Sequence, residues 1–219
     1  MFLDTAGRYT TQESDRDADA AAWKGFLQLL KRSRTRRPIN GVLATVSVGD
    51  LLQQSAAETE AQAKAIRTRV HELHTDLGIR FPVYLLVTKS DLLAGFTEFF
   101  ASLGKEERAQ VWGCSLGLSD KGVDTAALLV ELKRLERRLY ERLPERLEEE
   151  RDPARRSLIY GFPQQFAILR ERLIAFVEAT FAPSRFETAP RVRGVYFTSG
   201  TQEGSPIDRI MGGLARAWT

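Results

Sequence analysis

Cysteine is nearly missing from this chain. Cys114 is the only one, so no internal disulfide can form, and a solitary thiol suits a reducing compartment such as the cytosol. Histidine is almost as scarce: His71 and His74 are the whole complement, and two ligands three residues apart on a predicted helix do not make a zinc site. No apolar run approaches the roughly 18–20 residues a membrane helix needs, and the first residues lack a basic-then-apolar leader pattern. Charge of one sign is not in excess. The 32 basic and 29 acidic residues leave a net charge of only +3, with a pI near 9.1, which argues against a nucleic-acid-binding face. The absence with most consequence is that of Gly-x-x-x-x-Gly-Lys-Ser/Thr, found nowhere in the 219 residues. The backbone nest and lysine that cradle β- and γ-phosphates are therefore not in this sequence.

What is present is enough to fold. With 43% hydrophobic residues over 219 positions, the chain can build one generous domain or a core with a subdomain. Ala20, Trp23, Phe26, Leu27 and Leu30 recur at helical spacing within Ala18 to Leu30. Asp15, Asp17 and Asp19 stand near the start of that stretch, where acidic groups suit the helix dipole. "INGVLATVSVGDLL" and "PVYLLVTKSDLL" have the β-branched, nearly all-apolar character of strands buried on both faces of a parallel sheet. Between them Ala63, Ile66, Val70, Leu73 and Leu77 stripe a helix from Ala56 to Leu77, with Gly78 as its stop. A short strand is expected around Gln110 to Ser115 and a clear one in "VRGVYFTSG". Such alternation means α/β with a parallel sheet and right-handed crossovers. Leu128, Leu132, Leu135, Leu139, Leu143 and Leu147 then form one face of a long helix, followed by a second over Phe166 to Phe181. The expected division is a truncated α/β core over 1–118, a helical subdomain over 119–190, and a last strand and helix of the core over 191–219.

Three short motifs carry chemistry. Asp4-Thr5-Ala6-Gly7 follows two apolar residues, and in P-loop nucleotidases the Asp of such an Asp-x-x-Gly holds Mg²⁺, usually through water, while the Gly N–H meets the γ-phosphate. The pattern is weak alone, since average composition yields about one by chance in a chain this long. Thr88-Lys89-Ser90-Asp91 directly follows a buried strand, where GTPases carry Asn/Thr-Lys-x-Asp. There the carboxylate accepts hydrogen bonds from a guanine edge and the lysine stem packs along the base plane. Thr198-Ser199-Gly200 follows the last strand, the place of a GTPase loop whose backbone contacts the base carbonyl. The three stand in the GTPase order, each at the carboxyl end of a strand, where ligands bind in open α/β sheets. The expected nucleotide-binding residues are thus Asp4, Gly7, Thr88, Lys89, Asp91, Ser199 and Gly200, with Asp4 as the indirect Mg²⁺ ligand and GTP or ATP as the nucleotide. Thr10 or Gln12 could orient an attacking water. No catalytic residue is assigned, and Met1 reads as a start that cuts a larger chain inside its nucleotide-binding domain.

Bland readings stand beside these. Lys31 to Arg37 holds five basic residues in seven, read first as a solvated helix end and second as a contact for anionic lipid headgroups. The mixed charges from Glu131 to Arg156 read as local ion pairs. Cys114 reads as a small buried residue.

"LDTAGRYTTQ", "RPINGVLATVSVGDLL", "VYLLVTKSDLL" and "GVYFTSGTQEGSPIDRI" together resemble the TssM (IcmF) family, the large inner-membrane component of bacterial type VI secretion systems. The resemblance covers essentially the whole chain. It implies a P-loop GTPase-like domain with a helical extension, on the cytoplasmic face of the inner membrane between transmembrane segments of the parent protein. It also implies partners: TssL, the baseplate proteins, and TssJ through the periplasmic part, with no nucleic acid. The function expected is scaffolding of the secretion membrane complex with nucleotide-dependent regulation; the alternative is a GTPase or ATPase whose hydrolysis drives the complex.

Overall fold

The computed structural model describes residues 16–119, 121–183 and 189–200. Asp4, Gly7, Thr10 and Gln12 lie outside these residues. The elements run α1 (Arg16–Ser33), β1 (Val42–Ser47), α2 (Val48–Gln53), α3 (Ala56–Leu77), β2 (Pro82–Thr88), a 3₁₀ turn (Ser90–Leu92), α4 (Phe96–Phe99), α5 (Lys105–Arg108), β3 (Trp112–Ser115), α6 (Thr125–Glu149), α7 (Pro153–Phe181) and β4 (Arg191–Phe197). They form an α/β fold around a four-stranded sheet in the order β1-β2-β4-β3.

The three longer strands are parallel, with Val42 opposite Val83 and Val83 opposite Val192. β3 departs from the expected all-parallel sheet: it joins the far edge antiparallel, with Trp112 opposite Phe197 and Ser115 opposite Gly194. Direction is set by the partner strand here, because four residues carry too little pattern to encode it. Backbones come unusually close at this seam, and a Cβ on Gly194 would stand 2.5 Å from the Cys114 carbonyl oxygen. The expectation of strands buried on both faces is also corrected. Val83, Leu85 and Val87 are fully buried, while Tyr84, Leu86 and Thr88 are half-buried and Leu43 and Thr45 exposed. Among the described residues the helices gather over one face, so the burial alternates with the pleat.

The "VSVGDLL" end of the first predicted strand is helical instead. Ser47 closes a capping box: its Oγ accepts from the Asp50 N–H at 3.0 Å, and Asp50 Oδ2 accepts from the Ser47 N–H at 3.3 Å. That box turns the chain into α2, whose Val48, Leu51 and Leu52 are buried. Helix α3 has the expected bounds for the same kind of reason. Ser55 and Glu58 cap its start, and Gly78 ends it in the left-handed region at φ 64° with its N–H on the His74 carbonyl.

Helix α7 starts well before the expected Phe166. Asp152 caps it on the Ala154 N–H at 3.0 Å, Pro153 occupies its first turn, and Pro163 lies inside it. Pro163 has no N–H to give the preceding turn, but its ring is buried among Ile159, Phe162 and Phe166, all fully buried. Burial of each such side chain is worth about 2–3 kcal/mol, which offsets one lost helical bond. Helices α6 and α7 pack along each other, α7 packs on α3, and one continuous hydrophobic cluster joins them to the sheet. A second tie crosses this layer: buried Arg146 on α6 donates from Nε to the Phe99 carbonyl at 2.9 Å and pairs with Ser102 and Glu149. Gly95 lets α4 approach α7, since its φ is 84° and a Cβ would press into the Leu158 carbonyl.

Candidate functional site

Because β1, β2 and β4 are parallel, with Ser47 opposite Thr88 and Phe197 opposite Val87, the loops that leave them emerge at one edge of the sheet. Two of the three sequence motifs lie there. Strand β2 ends at Thr88, whose Oγ1 donates to the Val46 carbonyl at 3.4 Å. The chain then turns sharply through Lys89, which sits in the left-handed region at φ 57°, ψ 41°. It is the one residue other than glycine with positive φ among those described. A side chain there costs about 1 kcal/mol, and the turn it makes has a consequence. The buried Ser90 N–H reaches the Thr198 carbonyl at 3.1 Å, and the Thr198 N–H reaches the Val87 carbonyl at 2.8 Å. Ser90 Oγ closes on the Val87 carbonyl at 3.4 Å.

Backbone pairing thus continues past the ends of β2 and β4 and brings the two motifs together. Ser199 Oγ donates to Asp91 Oδ1 at 2.6 Å. The hydroxyl occupies one carboxylate oxygen and orients the group, and a carboxylate has capacity left for further donors. Lys89 and Ser199 are exposed and Asp91 is half-buried. Gly200 follows, exposed, with no side chain to crowd the edge. Of the seven predicted binding residues the structure assembles Thr88, Lys89, Asp91, Ser199 and Gly200 within one pair of loops. Asp4 and Gly7, and with Asp4 the Mg²⁺ position, lie outside the described residues.

The chemistry of this pair of loops fits the edge of a heterocyclic base: an oriented carboxylate to accept N–H donors, an aliphatic lysine stem to lie beside a ring, and exposed backbone at Ser199 and Gly200. It does not by itself fit phosphates, for which no glycine-rich nest is at hand. Two cavities of about 240 and 280 Å³, lined around Arg146 and around His74, include none of these residues.

The pattern Ser47-x-x-Asp50 is a capping box legible in the sequence, yet it places a third side-chain cluster at this edge that the motif reading passes over. Gln62 Nε2 adds to it, donating to Asp50 Oδ2 at 3.5 Å. Cys114 is distant in kind from such chemistry: burial pushes its thiol up to about 11, so it stays protonated and inert near neutrality. His74 is buried with both ring nitrogens lacking a hydrogen-bond partner, its ring 4.3 Å from that of Phe81. Desolvation, then the charges of Arg80, His71 and Arg191, hold its pKa below the ordinary 6.5.

Comparison with known proteins is consistent across most of the chain. Residues 16–219 match the IcmF-related N-terminal domain. The type VI secretion system component TssM1 of Pseudomonas aeruginosa is 56% identical over 220 residues, which cover 99% of this chain and 20% of that protein. The chain therefore spans about one fifth of the length of its curated relative. No solved structure matches it. With a family match over residues 16–219 and that degree of identity, the chain belongs to the IcmF-related (TssM) family.

Proposed function

We propose that this chain is the GTPase-like cytoplasmic domain of a type VI secretion membrane-complex protein, and that it scaffolds assembly of the apparatus under nucleotide control. The observation that carries the nucleotide part is the Ser199–Asp91 hydrogen bond of 2.6 Å, which joins two loops that the GTPase order places on either side of a base. The secretion part is supported by the 56% identity to a protein named as a secretion-system component.

In this reading Asp91 accepts the ring and exocyclic N–H groups of guanine, Ser199 holds the carboxylate in the orientation needed, and the Lys89 stem covers the ring. The strained turn at Lys89 exists to set that stem and to bring Ser90 onto β4. Mg²⁺ and the phosphates supply charge that belongs with Asp4, Gly7 and a phosphate loop upstream, while the described residues contribute binding and orientation of the base. Scaffolding rather than hydrolysis is the reading for this stretch, because the phosphate-loop motif Gly-x-x-x-x-Gly-Lys-Ser/Thr is not among these 219 residues. The partners are TssL and the baseplate proteins on the cytoplasmic face of the inner membrane, with TssJ reached through the periplasmic part of the parent protein. Transmembrane anchoring is assigned to that parent; no described helix of this chain is long and apolar enough to cross a bilayer.

The test is equilibrium binding of fluorescent GTP and ATP analogues, with Mg²⁺, to this chain and to the full-length protein. Micromolar binding of GTP by the full-length protein alone is the expected result. Absence of binding by either would leave the motifs as relics, and the domain would be a docking platform without a nucleotide switch.

A further inference from the structure

At the opposite end of the parallel strands, the chain gathers positive charge. Lys31 and Arg32 close α1, and Arg34, Arg36 and Arg37 follow before β1. All five are exposed. Lys31 Nζ donates to the Asp76 carbonyl at 3.1 Å, which fixes the end of α1 against the end of α3. Arg32, Arg34, Arg36 and Arg37 have no acidic partner among the described residues, in contrast to Arg69, Arg134, Arg146, Arg155 and Arg170, each of which pairs with a glutamate.

The register of the sheet brings more cations to this end. Pro82 lies opposite Arg191, and Arg80, just before β2, donates to the Ala189 carbonyl at 3.1 Å just before β4. His74 is buried nearby, and desolvation first, then the charges of Arg80, His71 and Arg191, lowers its pKa. Asp76, exposed at the end of α3, stands against this charge. Next to the arginines, Leu29 projects into solvent from the last turns of α1 at 63% exposure.

We infer that this arginine-rich end of the sheet is a docking surface for an anionic lipid bilayer. The arginines supply multivalent attraction to headgroups, about fivefold in partition per basic residue near a charged surface, and Leu29 beside them adds an exposed apolar side chain. A nucleic acid is the less fitting partner. The run from Lys31 to Arg37 carries no aromatic side chain on which a base could stack, and the chain's net charge is only +3. The surface lies at the opposite ends of the strands from Asp91 and Ser199, so it stands or falls independently of the nucleotide reading.

The experiment is co-sedimentation of this chain with vesicles of phosphatidylcholine alone and of phosphatidylcholine with about one-third phosphatidylglycerol. The expected result is binding to the anionic vesicles only, weakened as salt rises from about 0.1 M to about 1 M. The fourfold Arg32→Gln, Arg34→Gln, Arg36→Gln, Arg37→Gln variant loses on the order of 1,000-fold in partition. The corresponding fourfold lysine variant keeps its partition within about threefold, and Leu29→Gln loses a smaller factor. Circular dichroism of each variant reports retention of the fold, which these exposed positions do not support. Equal binding to neutral vesicles, undiminished binding by the glutamine variant, or tighter binding of a DNA duplex than of anionic vesicles would overturn the inference.

Discussion

The two ends of the parallel sheet use their polar side chains in opposite ways. At the carboxyl ends, Thr88, Ser90, Asp91 and Ser199 are engaged with one another or with the backbone of the neighbouring loop. At the amino ends, four arginines are engaged with nothing described. A polar group tied into its own fold is oriented and ready for a ligand that needs geometry, such as a base edge. A group held in water by a short exposed segment suits a partner that needs only charge. On the two proposals above, the same scaffold carries a site of shape at one end and a surface of charge at the other, and substitutions should separate them.

The largest separation is expected at Asp91. On the proposed base-reading role, Asp91→Ala in the full-length protein removes the acceptor of at least two donors from guanine, each charge-assisted bond contributing about 1.5 kcal/mol or more. GTP affinity falls about 100-fold by fluorescence titration, while vesicle partition of the 219-residue chain stays unchanged. An equal loss of both would mean that the residue supports the fold rather than one end of it. Ser199→Ala is milder. It frees the Asp91 carboxylate without deleting it, and a loss of about tenfold in GTP affinity is expected with no change in melting temperature.

Lys89→Gly sharpens the comparison from the side of stability. Glycine adopts φ 57° without strain, so the variant is expected to gain up to about 1 kcal/mol in chemical denaturation while losing affinity for GTP. Destabilisation instead would show that the Lys89 stem is part of the packing. The smallest effect lies at the charged end. Because the folded His74 has a pKa below the ordinary 6.5, the unfolded state binds more protons at acid pH. The stability it contributes is complete above about 6.5 and is lost as pH falls toward the folded value, with a slope bounded by one proton. Denaturation series from pH 7.5 to 5 should show this decline, and His74→Phe, which keeps a ring against Phe81, should flatten it.

Much of this arrangement is legible in the residues because local signals agree with one another. Helix α3 is bounded by a capping box at Ser55 and Glu58 and a left-handed Gly78, and each is a residue-level cue. The central strand is a pure apolar run that ends at Thr88. Three features resist reading for stated reasons. Val48, Leu51 and Leu52 look like a continued strand until the Ser47–Asp50 box is weighed, since buried helices and buried strands share the same apolar character. The antiparallel course of β3 depends on its partner and on the close approach allowed at Gly194. The early start of α7 depends on core packing that tolerates Pro163. At the site, the order of the motifs implies a common edge, but the Ser199–Asp91 bond and the left-handed Lys89 come from tertiary contact. No propensity would place a lysine there.

The most direct measurement is an exchange of base specificity. Guanine presents two N–H donors to a carboxylate, whereas xanthine presents one donor and one carbonyl acceptor on the same edge, the complement of an amide. Asp91→Asn in the full-length protein should therefore weaken GTP and strengthen xanthosine triphosphate, by about tenfold or more in each direction. Equal weakening of both nucleotides, or binding that ignores the substitution, would contradict the assignment of this edge as a base-reading site.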